Sequence, residues 1–524
     1  MKTNAVLQKK MVFFFFLLIS VFSYSQVKIS GKVTHKNKPL KDIAVTLKDT
    51  YDGATTDAAG NFSFETAETG SHHLTFTHPK YIEVDIPITI TGENIVQNAA
   101  LEEELNEINA VVISAGVAES SDKKRGTSLT PIDVYTTAGS DAQISSALNF
   151  RPGVQKVGES EGLFVRGGSG TETKVFMDGT LVNNFYTNSV PGVAGRDRFN
   201  TSLFKGNIFS TGGYSALYGQ ALSGALILES IDLPEQSSYD FGVSPLFISG
   251  GMQKLSNSKT YSFGASFAYF NLALIQKLLK YNQEFSKAPV GIGGDANFRI
   301  KNKAGGIFKY YGSLDTSKMG ITSPSLEDDY EESEVKLDAG NMFHNFSFRQ
   351  KFGKYSVNAG TSFSNNNSDL HFASVDNGIA TPRFDFNTKE RYFNFKTVVE
   401  KKIRKISAIR GGVEFNNARE TNNFNKNYKD LISSAFVETD LGLSNDLSAK
   451  IGLRAENSSY LGKTNFAPRL ALGYRLSENW TSSLAYGIFY QNPESKYLNS
   501  NAPLTFQKAQ HYIAQVQQIG RAHV

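Results

Sequence analysis

From Tyr355 onward the side chains change character at every second position. Tyr355, Val357, Ala359, Thr361 and Phe363 alternate with Ser356, Asn358, Gly360, Ser362 and Ser364. The same happens at Ile409, Gly411, Val413 and Phe415 against Arg410, Gly412, Glu414 and Asn416, and again at Leu470, Leu472, Tyr474 and Leu476 against Ala471, Gly473 and Arg475. A period of two is the strand period, and about ten residues of it, apolar on one side and polar on the other, are what a barrel strand needs to cross a bilayer. A soluble β-sandwich alternates in the same way, so periodicity alone leaves both open. After the first residues no stretch is apolar enough for a membrane helix, so a membrane location requires a barrel.

Composition narrows the function classes. The 524 residues contain no cysteine, which removes disulfides, thiolate nucleophiles and cysteine-ligated metals. A net charge of +4 with interspersed signs gives no nucleic-acid footprint. Paired catalytic carboxylates, a nucleophile elbow and metal-ligand spacing are all missing, so neither an enzyme nor a resident cofactor or metal is expected. The start reads as a secretory signal: Lys2, Lys9 and Lys10, then MVFFFFLLISVFS, then the small residues Ser23 and Ser25, with cleavage expected after Ser25.

Residues 26–101 read as short strands separated by turns, a small antiparallel sandwich. GKVTHKNKPLKDIAVTLKDTYDGATTDAAGNFSFET, Gly31 to Thr66, resembles the carboxypeptidase-regulatory-like domain, a small β-sandwich without catalytic apparatus. His72, His73 and His78 are read as surface or edge residues of its strands rather than as metal ligands.

Residues 102–126 are an acidic, then polar linker interrupted by one β-prone run, Ile108, Asn109, Ala110, Val111, Val112, Ile113 and Ser114. Such a run either docks locally or pairs with a partner's sheet edge. Residues 127–230 are mixed: a helix-like DAQISSALNF ending at Arg151-Pro152-Gly153, then short strands. The motifs SALNFRPGV, FVRGG, VFMDGTLV and LFKGNIFSTGGYSALYGQALSGALILES, in this order, resemble the plug domain of TonB-dependent outer-membrane receptors. The glycines of Ser210 to Ser230 then serve tight turns inside a lumen, with ALILE as a strand; no Gly-Lys-Ser/Thr follows to make them a phosphate loop.

The fold class that follows is mostly β: signal peptide, small β-sandwich, mixed α/β plug and, over 231–524, the N-terminal part of a transmembrane antiparallel barrel. About twelve or thirteen strands are expected there, against about 22 in a plugged transporter barrel. An open barrel leaves strand edges unpaired in hydrocarbon. The tail IGRAHV lacks an aromatic terminal strand and resembles sequencing-adapter read-through, so 518–524 is read as an artefact and the chain as truncated within its barrel.

The resemblance implies active uptake across the outer membrane of a scarce small-molecule or metal-chelate substrate, a ferric siderophore first, with cobalamin, glycan or peptide as alternatives. It implies outer-membrane lipid around the barrel and TonB with its proton-driven inner-membrane complex as partner, grasping Ile108–Ser114 as the TonB box. It also implies Arg151 and Arg166 as plug cations held against barrel carboxylates, for which Glu414 and Glu456 are possible partners. Asp178-Gly179 is expected to shape a turn. The loop Val157, Gly158, Glu159, Ser160 and Glu161 and the stretch Asn183, Asn184, Phe185 and Tyr186 are the expected substrate-facing plug apices. A secreted β-rich adhesin is the reading of another class, and a passive porin is disfavoured by the plug-like segment.

Overall fold

The computed structural model describes residues 26–101 and 127–518, apart from interruptions at 36, 51, 79–80, 159–160, 194, 279–283, 326–331, 405–406, 425–426, 445, 478 and 498–502. The expected signal peptide, the run Ile108–Ser114 and the tail 519–524 lie outside the described residues. The chain divides into two compact units, Met1–Asn106 and Glu107–Val524.

In the first unit, Val27–His35 pairs antiparallel with Asn61–Thr66 and parallel with Ile95–Val96 and Ala99–Ala100. A second sheet runs Gly53–Thr55, Ala44–Leu47, Gly70–His78, Tyr81–Ile90. Alternate residues of both sheets, among them Ile29, Val33, Val45, Leu47, Phe62, Leu74 and Phe76, close over one core. Each such side chain contributes about 1.5–3 kcal/mol by leaving water. Gly31 is dictated by the parallel return: a Cβ there would lie 1.8 Å from the Gln97 carbonyl oxygen. His72 reaches only the Thr69 carbonyl (3.2 Å) and His78 packs on Tyr81.

In the second unit, residues 127–230 form a mixed sheet ordered Thr127–Leu129, Phe204–Ser210, Gly224–Ser230, Thr173–Met177, Thr180–Val182. Gly224–Ser230 is central, antiparallel to Phe204–Ser210 and parallel to Thr173–Met177. That position explains why ALILE is apolar on both faces, and Ala225 to Leu228 are all buried. The helix Pro131–Thr136 starts in a capping box between Thr130 and Asp133. The helix Ile144–Leu148 stops before Pro152, where the missing N–H ends a helix. Asp178 and Gly179, at φ 47° and 90°, make the two-residue turn between Met177 and Thr180.

Fourteen antiparallel strands follow in sequence order, from Ser238–Val243 to Gln507–Gln518, and no ladder joins the first to the last among the described residues. The alternation has the expected sense: Ile409, Val413 and Phe415 are exposed outward, while Arg410 and Glu414 are buried inside. Short turns close one end; at Leu476 to Trp480 the Leu476 N–H donates to the Trp480 carbonyl. The polar stretch NNNSDLHFASVDNG, Asn365 to Gly378, suits an outer loop by composition, but it continues the strand Tyr355–Asp376 into Ile379–Arg404. Asn377-Gly378, with φ 50° and 76°, is the tight hairpin turn that permits this. At about 3.3 Å per residue, strands this long extend far beyond an apolar band about 25 Å tall.

Candidate functional site

The plug meets the barrel wall most densely along the ribbon Tyr214 to Leu222. Five consecutive carbonyls of this ribbon accept from barrel cations. The Arg469 guanidinium donates to Tyr214 (3.2 Å), to Ser215 and to Tyr218 (2.9 Å). Arg454 reaches Ala216 (3.5 Å), and the Lys396 ammonium donates to Leu217. The opposite charge is used as well: Ser215 Oγ (2.7 Å) and the Ala216 N–H (2.8 Å) both donate to Glu438 Oε2, and Gln220 Nε2 donates to Glu456 (3.2 Å). Carbonyls carry partial negative charge, so a tight glycine-bordered bend that turns them outward makes a cradle for cations.

The barrel side of this cradle is a balanced network. Arg454 pairs with Glu456 (2.8 Å) and Glu414 (2.9 Å), Arg410 with Glu400 (2.7 Å) and Asp440 (2.6 Å), and Lys450 with Glu438 (3.5 Å). Lys396 lies 4.7 Å over the Tyr218 ring and Arg469 4.4 Å over Phe489, so aromatic faces hold both buried cations. Gly219 sits against this network, since a Cβ there would approach Arg454 Nε and Glu456 Oε1 to 2.4 Å. His511 clasps both ends of the ribbon: its Nδ1 accepts from the Gly213 N–H (3.2 Å) and its Nε2 donates to the Leu222 carbonyl (2.7 Å), which requires the neutral Nε2–H tautomer.

A second station lies at the Asp178 turn. Its carboxylate accepts from Ser230 N–H (3.0 Å) and Oγ (2.6 Å) within the plug, and from Lys309 (3.1 Å) and Ser347 (3.3 Å) of the barrel. Asp232, just after the plug, takes Arg349 (3.0 Å), Lys205 (3.3 Å) and Lys309 (3.5 Å). Burial pushes the Asp232 carboxyl up, but these three cations outweigh it and hold it well below the usual carboxylate range. Between the stations is a cavity of about 90 Å³ lined by Asp178, Thr180, Tyr218, Lys309, Ser347 and Lys396. That is ample room for water.

The expected site residues are distributed unevenly. Arg166, at φ 51°, is exposed and donates to Thr211 Oγ1 (3.2 Å) within the plug. Arg151 has its Nε buried without a hydrogen-bond partner. Among the described residues neither arginine pairs with a barrel carboxylate; Glu414 and Glu456 are instead paired with Arg454 of the wall, and Glu456 meets the plug through Gln220 Nε2 (3.2 Å). The plug cation that does cross is Arg198, bound to Asp315 (3.0 Å). Val157 and Gly158 are exposed, and Glu159 and Ser160 lie outside the described residues. Glu161 and Tyr186 converge on Asp197, which accepts from the Ser145 N–H (3.0 Å). Desolvation, then the Asp197 carboxylate, push Glu161 up to about 7. Its side chain is nonetheless exposed at the surface, so water screens part of this upward push. Asn184 donates to Glu390 (3.0 Å) of the barrel, while Asn183 is half-buried. Phe185 is corrected: it is 3% exposed and stacks on Phe199 in the plug core, so it faces no substrate.

Residues 29–113 match the family described as CarboxypepD_reg-like domain, and residues 281–516 that described as TonB dependent receptor-like, beta-barrel. A search of curated proteins by sequence returned no match. Among solved structures, the fold is similar to the siderophore receptor PirA from Pseudomonas aeruginosa, at 12% identity and a TM-score of 0.52 over 71% of this chain and 62% of that one. It is similar to a variant of the ferric enterobactin receptor PfeA from the same organism, at 14% and 0.53 over 72% and 63%. It is also similar to the alcaligin outer membrane receptor FauA from Bordetella pertussis, at 10% and 0.53 over 78% and 72%. The chain thus spans less than two thirds of the length of the first two. Barrels of this family are outer-membrane transport receptors, and no helix among the described residues is long and apolar enough to cross a membrane. With its plug seated against the inner wall and both matches in chain order, the chain carries a CarboxypepD_reg-like domain over residues 29–113 and a TonB dependent receptor-like beta-barrel over residues 281–516.

Proposed function

We propose that the chain serves TonB-dependent active uptake of a scarce substrate across the outer membrane, with a ferric siderophore or another metal chelate as cargo. The observation that supports this reading is the way the plug is held: polar ties from barrel cations to ribbon carbonyls, beside a cavity with polar lining. Such ties are exchangeable for water, so a pull can release them, whereas a dry apolar interface would have to expose its whole area at once. The siderophore receptors among the similar folds support the cargo class. The pull enters through Ile108–Ser114, which pairs by β-augmentation with TonB, itself driven by the proton gradient at the inner membrane. Val157, Gly158, Glu161, Asn183, Asn184 and Tyr186, with Glu159 and Ser160 between them, are the plug positions assigned to face the cargo. No step in this cycle asks for catalysis or a resident cofactor.

The test is uptake of labelled ferric siderophore by iron-limited cells carrying the chain. Deleting Ile108–Ser114 is expected to abolish uptake while leaving cell-surface binding unchanged. Unimpaired uptake in the deletion refutes the coupling, and uptake that survives collapse of the proton gradient refutes active transport. Cobalamin, a glycan or a peptide accumulating in place of the iron chelate would overturn the cargo alone.

A further inference from the structure

We propose that the outer wall of the barrel binds a phosphate-bearing membrane lipid through Arg391, Arg419 and Lys429. The inference rests on the reading of this barrel as membrane-spanning. The register sets the three cations in one lateral row: Arg391 lies opposite Arg419, and Arg419 opposite Lys429, on adjacent antiparallel strands. All three are exposed. Like charges directly opposite one another in a sheet repel. Arg391 donates to the neutral side-chain carbonyl of Asn365 (3.1 Å), and among the described residues no carboxylate pairs with any of the three. The sequence neighbours Glu390 and Glu420 point to the other face of the sheet, where Glu390 accepts from the plug's Asn184 and Glu420 from the Tyr392 hydroxyl. The chain therefore leaves the repulsion uncompensated, and an anion from outside relieves it.

The place of the row decides which anion. On the strand Ile379–Arg404, Lys401 near the short-turn end and Arg391 are ten positions apart, with Val399, Phe395 and Phe393 exposed between them. Ten residues at about 3.3 Å, tilted by about 40°, rise about 25 Å, the height of a barrel's apolar band. Phe393, and Phe415 on the next strand, lie just below the cationic row on the same face. The row thus stands where acyl chains give way to headgroups. A guanidinium fork matches two phosphate oxygens, and the phenyl rings beneath match acyl chains. A soluble anion would use only the first of these; a phosphorylated lipid uses both.

The full chain, purified in neutral detergent, is offered a bis-phosphorylated lipid A and its adducts are read by native mass spectrometry. Retention is expected to fall about tenfold or more in R391Q/R419Q/K429Q, and equally when the wild type is offered the dephosphorylated lipid. Excess inorganic phosphate should not displace the lipid, and K401Q/K402Q, at the other end of the band, should bind like the wild type. Equal retention by the triple variant, or of the dephosphorylated lipid, overturns the site, and displacement by inorganic phosphate overturns the lipid assignment. If the triple variant misfolds, R419Q alone decides in the same assay. Flotation of the wild type with zwitterionic vesicles separates the two premises: failure to float refutes the membrane-spanning reading, whereas flotation without phosphate selectivity refutes only the lipid site.

Discussion

Gly219→Ala is the smallest change that asks whether the ribbon is gripped through the Arg454–Glu456 pair. The backbone at Gly219 is not in the left-handed region, so alanine costs nothing by conformation alone. Its methyl would sit 2.4 Å from both Arg454 Nε and Glu456 Oε1, closer than atoms approach without one of them moving. Either the ion pair gives way, leaving buried charges poorly matched, or the ribbon lifts from Arg469 and Glu438. Overpacking costs about 1–3 kcal/mol, and losing a partner of a buried pair about 3–5. We expect the ribbon's closure to weaken by about 2 kcal/mol, roughly 30-fold in its opening equilibrium. Hydrogen exchange of the Ala216 amide, which donates to Glu438 at 2.8 Å, reads that opening. In an Arg454→Ala background one of the two clashes is gone and Glu456, no longer held by Arg454, can turn its carboxylate aside, so the same substitution should cost less than about 0.5 kcal/mol, a coupling of about 1.5 kcal/mol. If the two substitutions instead add within about 0.5 kcal/mol, the grip does not run through Arg454.

Removing the hydroxyl in Ser215→Ala takes one of the two donors from Glu438 Oε2. Ribbon opening should rise by about 1–2 kcal/mol in the same exchange experiment, and Ser215→Thr should restore most of it. Glu161 gives a pH dependence: its folded value, pushed up to about 7, lies above its ordinary 4.5, so its contribution is fully present below about 4.5 and lost as pH rises through about 7. Protection of the Asp197 amide, corrected for intrinsic exchange, should fall across that window in the wild type and stay level in Glu161→Gln; a fall in both would assign the effect to another group.

The architecture could be read in advance where one residue's chemistry determines its surroundings. Alternation at Ile409 to Asn416 placed Arg410 and Glu414 inward, and Asp178-Gly179 announced its own turn. The partners of charged residues were not readable, because pairing depends on strand register, which one chain's pattern does not reveal across a sheet. Arg151 and Arg166 were therefore paired with barrel carboxylates when the grip runs the other way, from Lys396, Arg454 and Arg469 to plug carbonyls. Carbonyls carry no sequence signal at all. What could have pointed to these cations is their period: Lys396, Arg454 and Arg469 all fall on inward positions of apolar-alternating strands, where a charge needs a partner. Phe185 was misplaced for the opposite reason: a polar neighbourhood, Asn183-Asn184, concealed an aromatic that turns back into the core.

That barrel cations grip the ribbon through its main-chain carbonyls has a mechanical consequence. A carbonyl presents its lone pairs from the backbone itself, so the contacts to Tyr214 through Tyr218 depend on the ribbon's bend and are lost together when the bend straightens. Arg454 and Lys396 do not then become isolated charges, because Arg454 keeps Glu414 and Glu456, and Lys396 keeps Glu414 at 3.9 Å, while Arg469 keeps the face of Phe489 at 4.4 Å. For these two cations the high cost of a bare buried charge is thereby avoided when the ribbon lifts, and the cavity lined by Lys396 and Lys309 leaves space beside the vacated Lys396 donor. Gripping through plug arginines would have stranded barrel carboxylates at each release. For Arg454 and Lys396 the wall's internal pairing thus lowers the cost of lifting the ribbon.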